Sequence, residues 1–113
     1  MQTRRQLAQV RPSGTTGTSL FSLSSQAPFV VDFVNIANVS GASLAVSLFH
    51  DIDGSTYDET TALIFEQTLA AGAVIHFEAP ICDYQVAGNI GCKVSVADGA
   101  TFTVYGSISG ERL

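Results

Sequence analysis

The chain has no tryptophan, one methionine, three prolines and two cysteines in 113 residues. Charge is scarce as well, since only 13% of residues are Asp, Glu, Lys or Arg, and Lys93 is the sole lysine. Each shortage excludes something. No apolar run reaches the length of a membrane-spanning helix. Two cysteines, Cys82 and Cys92, do not make a disulfide framework, and no C-x-x-C is present. Cys92 alternates with Val94 and Val96, which reads as a small buried hydrophobe; a Cys82–Cys92 bridge is the alternative. No phosphate loop, dinucleotide fingerprint or RNA-binding aromatic motif occurs. "MQTRR" is basic, but "QLAQVRPSGTTG" supplies no apolar core after it, so no signal peptide is expected.

Acid is missing from the first 31 residues, where Arg4, Arg5 and Arg11 lie; every Asp and Glu occurs at Asp32 or later. The net charge is -5, so the body is not expected to bind nucleic acid as a polyanion. Hydrophobic residues make up 46%, too many for a disordered chain. One domain fits this length. A low-charge, Ser/Thr/Ala/Gly-rich exterior suits a protein that sits against neighbours in an assembly.

Residues 1–18 read as an extended basic arm, because "RPSGTTGTS" carries turn residues without periodicity. From Ser19 to the end, residues 19–113, the pattern is strand-like. Leu44, Val46 and Leu48 alternate with Ala45, Ser47 and Phe49. "ALIFEQ" (Ala62–Gln67), "AVIHFEA" and "CKVSVADG" are further candidates. In "TFTVYGSIS", Phe102, Val104 and Ile108 oppose Thr103, Tyr105 and Ser107. A helix over "DETTALIFEQTLAAG" is the rival for one segment, with an acidic start and a Gly stop. In "VVDFVNI", Phe29, Val31 and Phe33 face one way and Val30, Val34 and Ile36 the other. That strand therefore needs a second cover, either the arm or another subunit. About seven short strands at regular spacing predict an all-β fold: a single antiparallel two-sheet β-sandwich, jelly-roll or Ig-like, with an extended N-terminal arm.

"HDIDGSTYDE", His50 to Glu59, is the densest patch of chemistry. A calcium loop starting at Asp51 would need Gly at position 6 and Glu at position 12. Thr56 and Ala62 stand there, and Gly54 comes two places early. The segment reads as an inter-strand loop with Asp-Gly as its turn, its acids solvating the tip. A looser calcium site is the alternative. Paired-carboxylate hydrolysis lacks a cleft. His50 and His76 have neither a G-x-S-x-G nucleophile nor organised zinc spacing near them. No catalytic, cofactor or metal residue is expected. A lectin-like module would have to use Tyr57 or Tyr84.

The layout as a whole resembles the small β-sandwich virion structural proteins of tailed bacteriophages. The resemblance runs through "QLAQVRPSGTTGTSLFSLS", "FVVDFVNIANVSGASLAVSLFHD" with Asn35, Asn38 and Gly41, and "LAAGAVIHFEAPICDYQVAGNIGCKVSVADGATFTVYGSISGE". Phe21 stands where those proteins usually carry Tyr. The resemblance implies a non-enzymatic structural protein, a capsid cement or decoration subunit, with a tail, baseplate or fibre-adaptor subunit as the alternative. A carbohydrate-binding β-sandwich module is the reading from another class. The implied partners are the major capsid protein or other virion proteins, with self-association as a dimer or trimer. No membrane and no direct nucleic-acid contact is expected. The implied location is the virion, assembled in the host cytoplasm. Candidate interface residues are Arg4, Arg5, Arg11, Asp51, Asp53, Tyr57, Asp58 and Tyr105.

Overall fold

The computed structural model describes residues 5–22, 29–51, 56–78, 81–83 and 89–108. These form nine strands and, among the described residues, no helix: β1 (Arg5–Val10), β2 (Thr18–Ser22), β3 (Phe29–Asn38), β4 (Leu44–Asp51), β5 (Ala62–Leu69), β6 (Val74–Phe77), β7 (Ile81–Asp83), β8 (Asn89–Val94) and β9 (Ala100–Ile108). All pairings are antiparallel and they nest. Strand β4 pairs with β5, β3 with β6 and β7, β2 with β8, and β1 with β9. The nested hairpin rolls up where β9 also meets β3 and β8 also meets β4. Sheet A runs β1-β9-β3-β6, with β7 continuing β6 along the same edge of β3; sheet B runs β2-β8-β4-β5. This is a jelly roll, which settles the choice between jelly-roll and Ig-like sandwiches.

The core lies between the sheets. Val31, Val34, Ile36, Phe102 and Val104 from sheet A meet Leu44, Val46, Leu48, Ile64, Ile90, Cys92 and Val94 from sheet B. Cys92 is buried and free, so it is not bridged to Cys82. The strand over Ala62–Leu69 also decides against the rival helix.

Bulges explain where simple alternation fails. Between Val31 and Phe33, β3 gains a residue against β9, so Asp32 bulges. Val31, Val34 and Ile36 are therefore all buried on the core side, although the first two are an odd three positions apart. The expected division of this strand into two apolar faces does not hold. Phe33 falls on the outer face, where two rings of the same sheet pack against it. The Tyr105 ring stacks on it at 4.6 Å and the His76 ring tilts against it at 4.7 Å. In sheet B, Phe65 and Glu66 bulge opposite Ser47, and Glu66 takes a positive φ of 48°. The hydroxyl oxygen of Ser47 accepts the Glu66 N–H at 2.8 Å, replacing the ladder bond that the bulge removes. That extra residue brings both Ile64 and Leu69 to the core.

The N-terminal boundary also differs from expectation. Arg5–Val10 is not an arm outside the domain; it is an edge strand of sheet A, paired with β9 from Arg5↔Gly106 to Val10↔Phe102. Leu7, Ala8 and Val10 pack against the core. Residues 11–17 then cross to the other sheet. Val96 is exposed, because β8 ends at Val94 and the chain turns.

Asn38 shows what the Asn-x-Ser-Gly turn does. Its Nδ2 donates to the Ala42 carbonyl at 2.7 Å and the Leu69 carbonyl at 2.8 Å. Its Oδ1 accepts the Ser40 N–H at 2.9 Å and the Ser40 hydroxyl at 2.8 Å. One buried amide thus satisfies the β3–β4 turn and ties it to the end of β5.

Candidate functional site

The acidic stretch is not a free tip. Asp51 ends β4, is buried, and accepts the Thr56 N–H on Oδ2 at 2.8 Å. The chain then folds back across the outer face of sheet B. There the Tyr57 ring fills space left by two glycines. A Cβ on Gly91 would lie 2.7 Å from Tyr57 Cζ, and one on Gly17 would lie 2.7 Å from Tyr57 Cδ2. The ring also stacks on Phe49 at 5.8 Å. Phe49 points away from the core yet is fully buried, and Tyr57 is part of its cover. The Tyr57 hydroxyl donates to Asn89 Oδ1 at 2.7 Å, and the Ser19 hydroxyl donates to the same oxygen at 3.2 Å. The loop is thus anchored to β2, β4 and β8 by its aromatic residue.

Asp58 Oδ1 accepts both the backbone N–H and the hydroxyl of Thr60. These bonds, the hydroxyl's first, hold its carboxyl below the ordinary carboxylate range. Asp58 therefore caps its own turn. Asp51 and Asp58 thus hydrogen-bond within the loop, which corrects the reading of these acids as tip solvation. Asp53, Arg4 and Tyr84 lie outside the described residues. Arg5 opens β1 and Arg11 follows it, its Nε donating to the Asp98 carbonyl at 2.7 Å. Tyr105 lies on the outer face of sheet A. The described candidates thus fall on different surfaces: Tyr57 on the outer face of sheet B, Tyr105 on that of sheet A and Arg11 past the end of β1.

His50 belongs to sheet B, where its N–H donates to the Thr61 carbonyl at 2.9 Å. His76 belongs to sheet A, its Nδ1 2.6 Å from Asn35 Oδ1 and its Nε2 3.0 Å from Glu78 Oε1. The sandwich separates His76 from the acidic loop, so the two do not share a cleft. Among the described residues, no group of three His, Cys, Asp or Glu side chains is placed to hold a metal. Phe33 has one face on Tyr105 and the other side against His76, which leaves it no open face for a sugar ring.

Two surface features were not singled out in the sequence. A depression of about 320 Å³ on the outer face of sheet B is lined by Thr15, Ala45, Ser47, Glu66, Lys93 and Ser95. Beside it, edge strand β5 exposes apolar side chains, Leu63 at 40% and Phe65 at 48%. The signal for the edge was present in "LIFEQ": Leu63 and Phe65 flank Ile64, so one strand face had to be apolar and outward. Long-range pairing decides which face that is.

A buried thiol and a half-buried phenol give the fold a pH limit. Burial pushes the Cys92 thiol from its ordinary 9.0 to about 12. Burial also raises the Tyr57 phenol above its ordinary 10.0, against a hydrogen bond with Ser19 that lowers it. Both groups prefer to stay protonated in the fold, so their stabilisation is complete below the unfolded values. It is lost as pH climbs through the folded ones. Thermal midpoints should therefore fall from about pH 9 upward, and Tyr57 should add to the fall above about pH 10. In Cys92→Ala the first part of the slope should flatten, and in Tyr57→Phe the second. Unchanged slopes in both variants would refute the assignment.

No protein-family model and no curated protein matches the chain.

Proposed function

We propose that this chain is a non-enzymatic structural subunit of a tailed-phage virion, acting as a capsid cement or decoration protein. The observation that carries the reading is the open edge of sheet B, where a charge-poor jelly roll presents Leu63 and Phe65 to solvent. Exposed apolar side chains on an edge strand suit a surface meant to be covered by a neighbour. The sequence resemblance points the same way. Bound across junctions of the shell, such a subunit stabilises the assembled state by mass action, because it binds only that state. Weak contacts repeated by symmetry then add up. Its partners would be the major capsid protein and other copies of itself.

Counting the chain in purified particles by quantitative mass spectrometry tests this. Hundreds of copies per particle support the shell position, and a few tens move the protein to the tail, baseplate or a fibre adaptor. Absence from purified particles overturns the proposal.

A further inference from the structure

The two edges of the sandwich differ in charge. Strands β1 and β2 lie on one side, β5 and β6 on the other. From Arg5 to Ser22 the sequence has two arginines, Arg5 and Arg11, and no acid. From Thr56 to Glu78 it has Asp58, Glu59, Glu66 and Glu78, and no lysine or arginine. The second edge also carries exposed apolar groups: Leu63 and Phe65 on β5, and Val74, 60% exposed, at the start of β6. Phe65 and Glu66 are adjacent at the bulge and both are exposed. An exposed ring beside a carboxylate is a receptor for a guanidinium, which can stack on the ring and pair with the acid. Arg11 has the matching chemistry. Its Nε bond to the Asp98 carbonyl holds the exposed guanidinium at the end of β1.

We propose that copies of this chain associate head to tail, the basic β1 edge of one copy docking on the acidic, apolar β5–β6 edge of the next, with Phe65 and Glu66 receiving an arginine. The occupant is a second copy because the chain carries both halves of the complementary pair on opposite sides. Such a contact is heterologous, so it builds rings or rows rather than a face-to-face dimer. A face-to-face β5 contact would set Glu66 of one copy against Glu66 of the other, with Lys93 of the same depression beside each but no arginine to receive. This rests on the structural reading above only in treating the protein as a self-associating subunit; its test needs no particle.

Sedimentation velocity on the purified full chain measures the association. Glu66→Arg, Phe65→Ala and Arg11→Glu should each weaken it at least tenfold, with thermal midpoints unchanged. Arg5→Glu provides a second basic-edge variant that leaves the Arg11–Asp98 bond in place. Combining Arg11→Glu with Glu66→Arg in one chain should restore association, and mixing the two single variants should restore it as assemblies in which the two variants alternate one to one. Raising salt from about 50 mM to about 500 mM should weaken the wild type, because exposed pairs are screened. A monomer at all concentrations overturns the proposal. So does association that survives both basic-edge variants, which would mark a β5-to-β5 contact. Copy number in particles can fail while this holds, and the reverse, so the two readings fail separately.

Discussion

Gly106→Ala is expected to destabilise the domain by about 3 kcal/mol or more, the upper range for forcing atoms into a packed interior. Gly106 lies in β9 between β1 and β3, paired with Arg5 on one side and Val31 on the other. An added Cβ would land on the Val30 carbonyl oxygen and lie 2.9 Å from Val31 Cα. Both are backbone atoms in the central pairing of sheet A, beside the Asp32 bulge, and no side-chain rotation relieves the clash. For a domain of this size the thermal midpoint should drop by roughly 10–25 °C. Gly91→Ala is the informative comparison. There the clash is with the Tyr57 ring, which can leave, so the fold should survive while the 56–61 loop loses its anchor. Gly14→Ala meets nothing within 4 Å and should be silent. Thermal unfolding of the three variants checks the order. A Gly106→Ala protein melting within about 2 °C of wild type, a shift worth well under 1 kcal/mol, would show that β9 can move away from β3.

The same three glycines show how much was legible in the sequence. Alternation in Leu44–Val46–Leu48 and in Phe102–Val104 is a local property, and it placed strands and core faces correctly. The glycine of "AAG" is a local mark as well: Gly72 takes a φ of 75° in the turn before β6. What was hidden is set by partners distant in the chain. Bulges at Asp32 and Phe65–Glu66 exist only relative to β9 and β4, so the facing of Val31 against Val34, and of Ile64 against Leu69, could not be read from periodicity. Nothing in "HDIDGSTYDE" says that Tyr57 has a seat; Gly17 and Gly91 make it, on strands β2 and β8 or at their start. The acidic residues drew attention, while the aromatic residue fixes the loop. The edge was missed for a related reason. Leu63 and Phe65 have the pattern of a buried face, and only the sheet order, with β5 last in sheet B, leaves that face uncovered.

Removing residues 1–10 should cost on the order of 3–5 kcal/mol, against the 5–15 kcal/mol that holds a typical domain. An arm could be deleted with loss of binding alone, but β1 is part of the sheet. Its loss takes Leu7 and Val10, both half-buried against the core, at roughly 1 kcal/mol each or more. It also strips β9 of one of its two neighbours, leaving a row of backbone groups unpaired over the stretch from Phe102 to Gly106. The contact of Gln9 Nε2 with Thr103 Oγ1, at 3.4 Å, goes with it. No longer ordering Arg5–Val10 recovers some chain entropy, which keeps the figure below the sum of these losses. The truncated chain should melt some 15 °C or more lower, and its newly open β9 edge should make it aggregate on heating. Adding the 1–10 peptide in trans should raise the midpoint again, because β1 is an edge strand that pairs with β9 alone and can dock on a preformed sheet. A truncated protein that melts like the full chain would show that the β1–β9 pairing carries little of the stability. For the same reason, loss of self-association on truncation cannot by itself identify a basic edge. The Arg5→Glu and Arg11→Glu variants keep β1 in place and change only its charge, so they separate what the strand holds together from what its arginines bind.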